Sequence, residues 1–232
     1  MDLVTQGFVK AIEMLVAGDP ELFRITGVTL RVSLTAVLIS VIVGLPLGIA
    51  LGLTTFPGRR FILALVNVGM GMPPVVAGLW ITILLWRSGP LGRYGLLYTT
   101  KAIISAQVLV SLPIIIGLTA AAFQQIDPRL RLQLKGLGAS PWQAGRVLLR
   151  EVRLAIMAAV MAGLGRVLAE VGAAMMVGGN IRGDTRILTT AIVLEVSKGN
   201  FSVAMALSFI LMGVAFFITW LLTALQQRRR PA

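Results

Sequence analysis

Four stretches of this chain carry no charged side chain over more than the thickness of a lipid bilayer: Val32 to Gly58, Phe61 to Trp86, Ala102 to Ile126 and Phe201 to Gln227. About 20 apolar residues in a helix cross the hydrocarbon, and each run is longer than that. A fifth crossing is expected from Leu154 to about Ala174, although Arg166 and Glu170 interrupt it. The expectation is an all-α polytopic membrane protein of one domain, 1–232, with five spans over about 26–54, 61–86, 102–126, 154–174 and 201–227. A hydrophobic fraction of 57% agrees, since a soluble domain of 232 residues tolerates less.

A net charge of +12 invites a nucleic-acid reading, but the Lys and Arg residues sit between apolar spans and form no continuous basic face. Topology accounts for them better. Arg59 and Arg60, then Arg129, Arg131, Lys135, Arg146, Arg150 and Arg153, then Arg228, Arg229 and Arg230 fall in short segments that five spans put on one side. The positive-inside tendency makes that side cytoplasmic, with the C-terminus on it and the N-terminus outside. The outer side keeps Arg87, Arg93, Lys101, Arg182, Arg186 and Lys198, a weaker concentration. The place of such a chain is the cell membrane, with the bilayer as its first partner.

Absences narrow the chemistry. The chain contains neither cysteine nor histidine, which removes disulfides, thiol catalysis, imidazole acid–base chemistry and soft-metal sites. A phosphate-cradling loop needs Gly-Lys followed by Ser or Thr. None of Lys10, Lys101, Lys135 and Lys198 follows a glycine, so no ATP hydrolysis, bound cofactor or metal is expected of this chain.

Between the third and fourth spans lies a polar interruption, 127–150. Asp127 is placed to cap a helix opened by Pro128, Gly138 to end it in the left-handed region, and Ser140 to cap a second helix opened by Pro141. Gln143, three residues after Ser140, completes a capping box. Two starts and one stop at this spacing predict a rigid hairpin of short helices, suited to receive force from a partner.

Inside the spans, Pro73 and Pro74 follow Gly69-Met70-Gly71-Met72 at about the middle of the second and are expected to bend or unwind it. Gly69 and Gly71 fit either unwinding or close helix packing. Arg166 and Glu170, one turn apart, are expected to neutralise each other beyond the midplane. The pair reads either as a packing ion pair or as part of a route. Residues 1–17 put Val4, Phe8, Ala11, Ile12 and Leu15 on one face and Asp2, Gln6, Lys10 and Glu13 on the other, the pattern of an interfacial helix. The apolar strip Ile187 to Leu194 is too short to cross and is expected as a re-entrant or surface helix on the outer side.

Leu137-Gly138-Ala139-Ser140-Pro141-Trp142, followed by Arg146-Val147 and Leu149, resembles the cytoplasmic loop with which ABC importer permeases fit a groove on their ATPase. It departs from that pattern at Leu132, Gln133 and Leu134, where Glu-Ala-Ala is usual, and at Leu149-Arg150, where Leu-Pro is usual. Gly44-Leu45-Pro46-Leu47-Gly48, the turn Phe56-Pro57-Gly58-Arg59-Arg60, Pro73-Pro74 and Glu170-Val171-Gly172-Ala173 extend the likeness to the molybdate, tungstate and sulfate branch of these permeases. The run through Met175-Met176-Val177-Gly178-Gly179-Asn180-Ile181 looks most like the tungstate type. The resemblance implies a type I importer permease that forms a homodimer, two cytoplasmic ATPase subunits and an external binding protein that delivers the oxyanion. Leu137 to Trp142 become the ATPase-coupling loop, and Pro73, Pro74, Arg166, Glu170 and Gly172 candidate pathway or gate residues. Molybdate or sulfate is the alternative cargo; a channel or secondary transporter would share the spans without needing the hairpin.

Overall fold

A computed structural model describes residues 3–227. Asp2 and the basic tail Arg228-Arg229-Arg230 lie outside the described residues. Those described form eleven α-helices and one 3-10 turn, Gly92–Tyr94, with no strand among them. The helices are α1 Leu3–Val16, α2 Pro20–Leu53, α3 Arg59–Met70, α4 Pro74–Leu85, α5 Thr100–Gln124, α6 Pro128–Gly136, α7 Pro141–Glu151, α8 Arg153–Leu168, α9 Gly172–Gly178, α10 Leu188–Ser197 and α11 Phe201–Gln227.

Among the described residues, only α2, α5 and α11 are each long and apolar enough to cross a membrane alone. The other two expected spans are broken. The first divides into α3 and α4 with a bend of 103°, and the second into α8 and α9 with a bend of 59°. Counting each bent pair as one span gives up to five crossings. The first break follows from Pro74, which occupies the first turn of α4 and cannot donate back into α3, with Pro73 extended before it. The second falls at Ala169-Glu170-Val171, where no proline forces it.

The centre of the fold is α5, which packs against α2, α3, α4, α8 and α9. Its contact with α2 is the most extensive and has one register. Ser40 Oγ lies 2.7 Å from Ser111 Oγ. One turn on, a Cβ at Gly44 would meet Ile115 at 3.0 Å, one at Gly48 would meet Thr119 at 2.6 Å, and one at Gly52 would meet Phe123 at 2.6 Å. Each pair advances by four residues on both helices, so α2 and α5 run parallel with their backbones in near contact. Dispersion across such a seam replaces the hydrophobic force that lipid cannot supply between helices. Gly69 repeats the device, its Cβ position 2.8 Å from Pro113, so close packing of α3 on α5 is what this glycine permits.

Around this frame, α1 packs on α11 through the small residues Gly7 and Ala11 and the edge-to-face pair Phe8–Phe209. Its larger apolar side chains, Ile12 and Leu15 among them, stay about half exposed. Gly18, with φ +66°, ends α1, and Asp19 Oδ1 at once caps α2 by accepting from Glu21 N–H and Leu22 N–H. The strip expected as a re-entrant or surface helix is α10. It is anchored by Leu188 N–H, which donates to Thr29 Oγ1 of α2 at 2.9 Å.

Candidate functional site

The two breaks meet. Arg166 Nη2 donates to the Met72 carbonyl at 3.2 Å, so α8 reaches the peptide group freed where α3 ends. That carbonyl lies in the gap between α3 and α4, outside the hydrogen-bond ladder of either, and so is open to a donor from another helix. Along the same seam, a Cβ at Gly172 would come within 2.8 Å of Val75, and one at Gly78 within 2.7 Å of Ala173. α4 and α9 are therefore seated on each other through glycine. All five sequence-derived candidates, Pro73, Pro74, Arg166, Glu170 and Gly172, belong to this junction.

Arg166 and Glu170, expected to neutralise each other, make no contact ion pair, although their charges still act on each other across the break. The ion pairs among the described residues are Lys10–Glu13, Arg182–Glu21, Arg186–Glu21 and Lys198–Glu195. The i, i+4 argument required one continuous helix, and α8 stops at Leu168. Glu170 instead serves the next helix. Its Oε1 accepts from Ala173 N–H at 2.7 Å, and its backbone carbonyl accepts from Thr189 Oγ1 at 2.8 Å. This carboxylate is 3% exposed. A carboxylate at the start of α9 satisfies an otherwise orphaned amide and faces the positive helix end.

Arg166 is half-buried, and besides the Met72 carbonyl it keeps donors in reserve; its Nε is buried without a partner. Beside it, Ala162 and Gly165 on α8 and Ala169 at its C-cap form an open, small-residue face, with nothing within 4 Å of a Cβ at Gly165. The junction thus holds a half-buried guanidinium with unused donors next to an open small-residue face, and a carboxylate turned into the start of α9. A guanidinium at the centre of a membrane helix costs about 2.5–3.5 kcal/mol by insertion scales, a cost that packing alone does not require.

The hairpin of α6 and α7 has the predicted caps. Asp127 Oδ1 accepts from Arg129 N–H at 2.8 Å. Gly138 takes φ +71°, with Gly138 N–H donating to the Lys135 carbonyl and Ala139 N–H to the Leu134 carbonyl, the double closure of a Schellman motif. Ser140 Oγ accepts from Gln143 N–H, and Gln143 Oε1 accepts from Ser140 N–H at 2.8 Å. Leu130, Leu134 and Leu148 join Phe123 and Ile126 in an apolar seat at the end of α5. Arg131 Nη2 locks it by donating to the Phe123 carbonyl at 2.8 Å. On the far side Leu137 and Trp142 project, 83% and 82% exposed. Ala139 and Pro141 complete the six-residue loop between them.

Several participants escaped sequence reasoning. Met72 contributes only a carbonyl, which no side-chain pattern reveals. Thr29 and Thr189 act through backbone groups far along the chain, which their local sequence does not reveal. The Gly44, Gly48, Gly52 spacing was visible, and its four-residue step was the available signal.

Residues 44–231 match the family described as binding-protein-dependent transport system inner membrane component. The tungstate uptake system permease protein TupB of Campylobacter jejuni is 38% identical over 221 residues, covering 95% of this chain and 92% of that protein. TupB of Peptoclostridium acidaminophilum is 37% identical over 227 residues, covering 98% and 100%. Among solved structures, one described as inward facing conformations of the MetNI methionine ABC transporter superposes with a TM-score of 0.75 over 92% of this chain and 98% of that one. At 22% identity that likeness is one of fold. On the extent of these matches, the chain belongs to the family of binding-protein-dependent transport system inner membrane components.

Proposed function

We propose that this chain is the membrane-spanning subunit of an ATP-driven importer and forms, as a homodimer, the route for an oxyanion, with tungstate as the cargo. The observation that carries the anion reading is the sign of the junction. Arg166 is half-buried with donors unused beside the open small-residue face of α8, while the Glu170 carboxylate is turned into the α9 helix start. Tungstate is supported by the names of the two relatives that match nearly the whole chain. Molybdate and sulfate remain the competing cargoes.

Five crossings enclose little beyond their own packing, and a twofold pair supplies both a route and two hairpins. The hairpin is the contact for cytoplasmic ATPase subunits, with Trp142 and Leu137 as its apolar anchors. Force on it passes directly into α8 through α7 and Val152. It also passes into α5, which touches all four helices of the broken spans. A rocking of these elements opens and closes the junction. The external binding protein meets the outer loops that contain Arg182 to Lys198, and the C-terminus lies in the cytoplasm.

The test reconstitutes the chain with its ATPase and supplies empty, tungstate-loaded or sulfate-loaded binding protein. Tungstate-loaded protein is expected to stimulate hydrolysis and uptake, and sulfate-loaded protein to match the empty one. Equal rates in all three remove tungstate as the cargo, and hydrolysis by this chain alone overturns the division of labour.

A further inference from the structure

A groove of about 580 Å³ runs between α1, α2 and α11, away from the junction. Its walls are apolar throughout, with Phe8 and Ile12 on one side, Leu30 and Leu34 on the second, and Phe209 and Phe217 on the third. Gly213 forms part of its floor, and a Cβ there would meet nothing within 4 Å. A glycine inside a long helix lowers helix stability relative to alanine. Here no neighbouring helix approaches to use the gap, so the bare backbone leaves a smooth channel open to the bilayer.

A charge lies just outside the wall of the groove, one residue from Leu30 and one turn from Leu34. Arg31 is exposed and, among the described residues, its guanidinium makes no hydrogen bond or ion pair. Its register places it beside Leu34 on α2, and a helical side chain leans toward the N-terminus of its helix, over the residue four earlier. That residue is Gly27, where a Cβ would also meet nothing within 4 Å. Arg31 is the last charge before the uncharged run that begins at Val32, so it marks the polar boundary of the outer leaflet. From that level the groove descends along Phe209 to Ile218, about 14 Å of helix.

We propose that this groove is a binding site for an anionic phospholipid, its phosphate on Arg31 in the space above Gly27 and one acyl chain along Gly213. The occupant follows from the combination of parts. An unpaired cation at headgroup level selects a phosphate, and a slot of this volume with apolar walls on three sides takes a flexible chain. Lipid held there is the filler between α1 and α2, which make few contacts with each other, and fixes α1 to the transporter body.

The test uses the assembled transporter, purified with its ATPase from vesicles of phosphatidylcholine and phosphatidylglycerol, and counts retained lipid by native mass spectrometry. The wild type is expected to keep phosphatidylglycerol selectively, about one per chain at the proposed site. Arg31→Gln is expected to lose the selectivity for phosphatidylglycerol and still retain lipid. Gly213→Phe, whose ring has open space to fill, is expected to lose the retained lipid while the assembly still forms. Equal retention in wild type and Gly213→Phe overturns the proposal. So does efficient chain-to-chain cross-linking of a Gly213→Cys variant, a clean probe in a chain without cysteine, because a second copy would then cover the groove.

Discussion

The α2–α5 pair and the junction of α3–α4 with α8–α9 solve the same problem, keeping helices together in lipid, in opposite ways. The first is unbroken, parallel and glycine-seamed over three turns, with one polar contact between Ser40 and Ser111. The second is interrupted twice and joined by a long cation reaching a carbonyl, an internal carboxylate cap and two glycine contacts. A seam of backbones in contact has one good arrangement, whereas a guanidinium on a carbonyl can be exchanged for another acceptor at small cost. The comparison teaches that the pair is a frame and the junction is the part that can be rearranged.

Overfilling the frame gives the largest expected loss. Gly48→Leu drives a side chain into Thr119 and the Ile116 carbonyl, which lie 2.6 and 2.9 Å from its Cβ position, and should destabilise the chain by roughly 3 kcal/mol or more. Thermal unfolding in detergent reads this directly. A Gly48→Leu protein that melts with the wild type would remove the frame from the account.

Gly138→Val comes next, because it strains a left-handed residue by about 1–2 kcal/mol without a clash, the surrounding space being open. The loss stays local to the hairpin. Membrane insertion is expected to survive while hydrolysis and uptake become uncoupled, as measured by uptake per ATP hydrolysed. Normal uptake with ATPase co-purifying at wild-type yield would refute the docking assignment.

At the junction, Glu170→Ala should cost about 1–2 kcal/mol by orphaning the Ala173 amide, and Glu170→Gln, which keeps an acceptor oxygen, should cost less. Exchanging Arg166 with Glu170 should not restore assembly, since a guanidinium cannot accept from Ala173 N–H. Rescue by the exchange would make charge neutralisation between the two, not the cap on α9, the main role of Glu170.

The smallest effect lies outside the spans. Hydrogen bonds from Lys198 and Asn200 hold the Glu195 carboxyl below the usual glutamate range. A depressed folded-state value contributes stability that is present above the unfolded value and lost as pH falls through the folded one. With Lys198 about half exposed, the contribution is under about 1 kcal/mol. Hydrogen exchange at the end of α10 should therefore rise modestly as pH drops through the glutamate range, and Glu195→Gln should abolish that rise.

The sequence revealed the hairpin almost completely, because caps are local: Asp127, Gly138, Ser140 and Gln143 act within four residues of themselves. The break at Pro73-Pro74 was legible for the same reason, proline being a local constraint. The break at 169–171 was not. It is held by Thr189, which reaches the Glu170 carbonyl from α10, and without it the i, i+4 rule predicted a contact between Arg166 and Glu170 that the bend removes. The register of α2 on α5 was likewise hidden, since spacing reveals a small-residue face but not what it meets.

The most direct test of the central claim, that the junction presents Arg166 to an anion route, is tungstate uptake by the full assembly carrying Arg166→Gln or Arg166→Lys. Assembly and melting of both variants are followed alongside. The account predicts that Arg166→Gln assembles but loses tenfold or more in uptake, about 1.4 kcal/mol or more of lost interaction, while Arg166→Lys recovers part of it. Wild-type uptake by an intact Arg166→Gln transporter would contradict it.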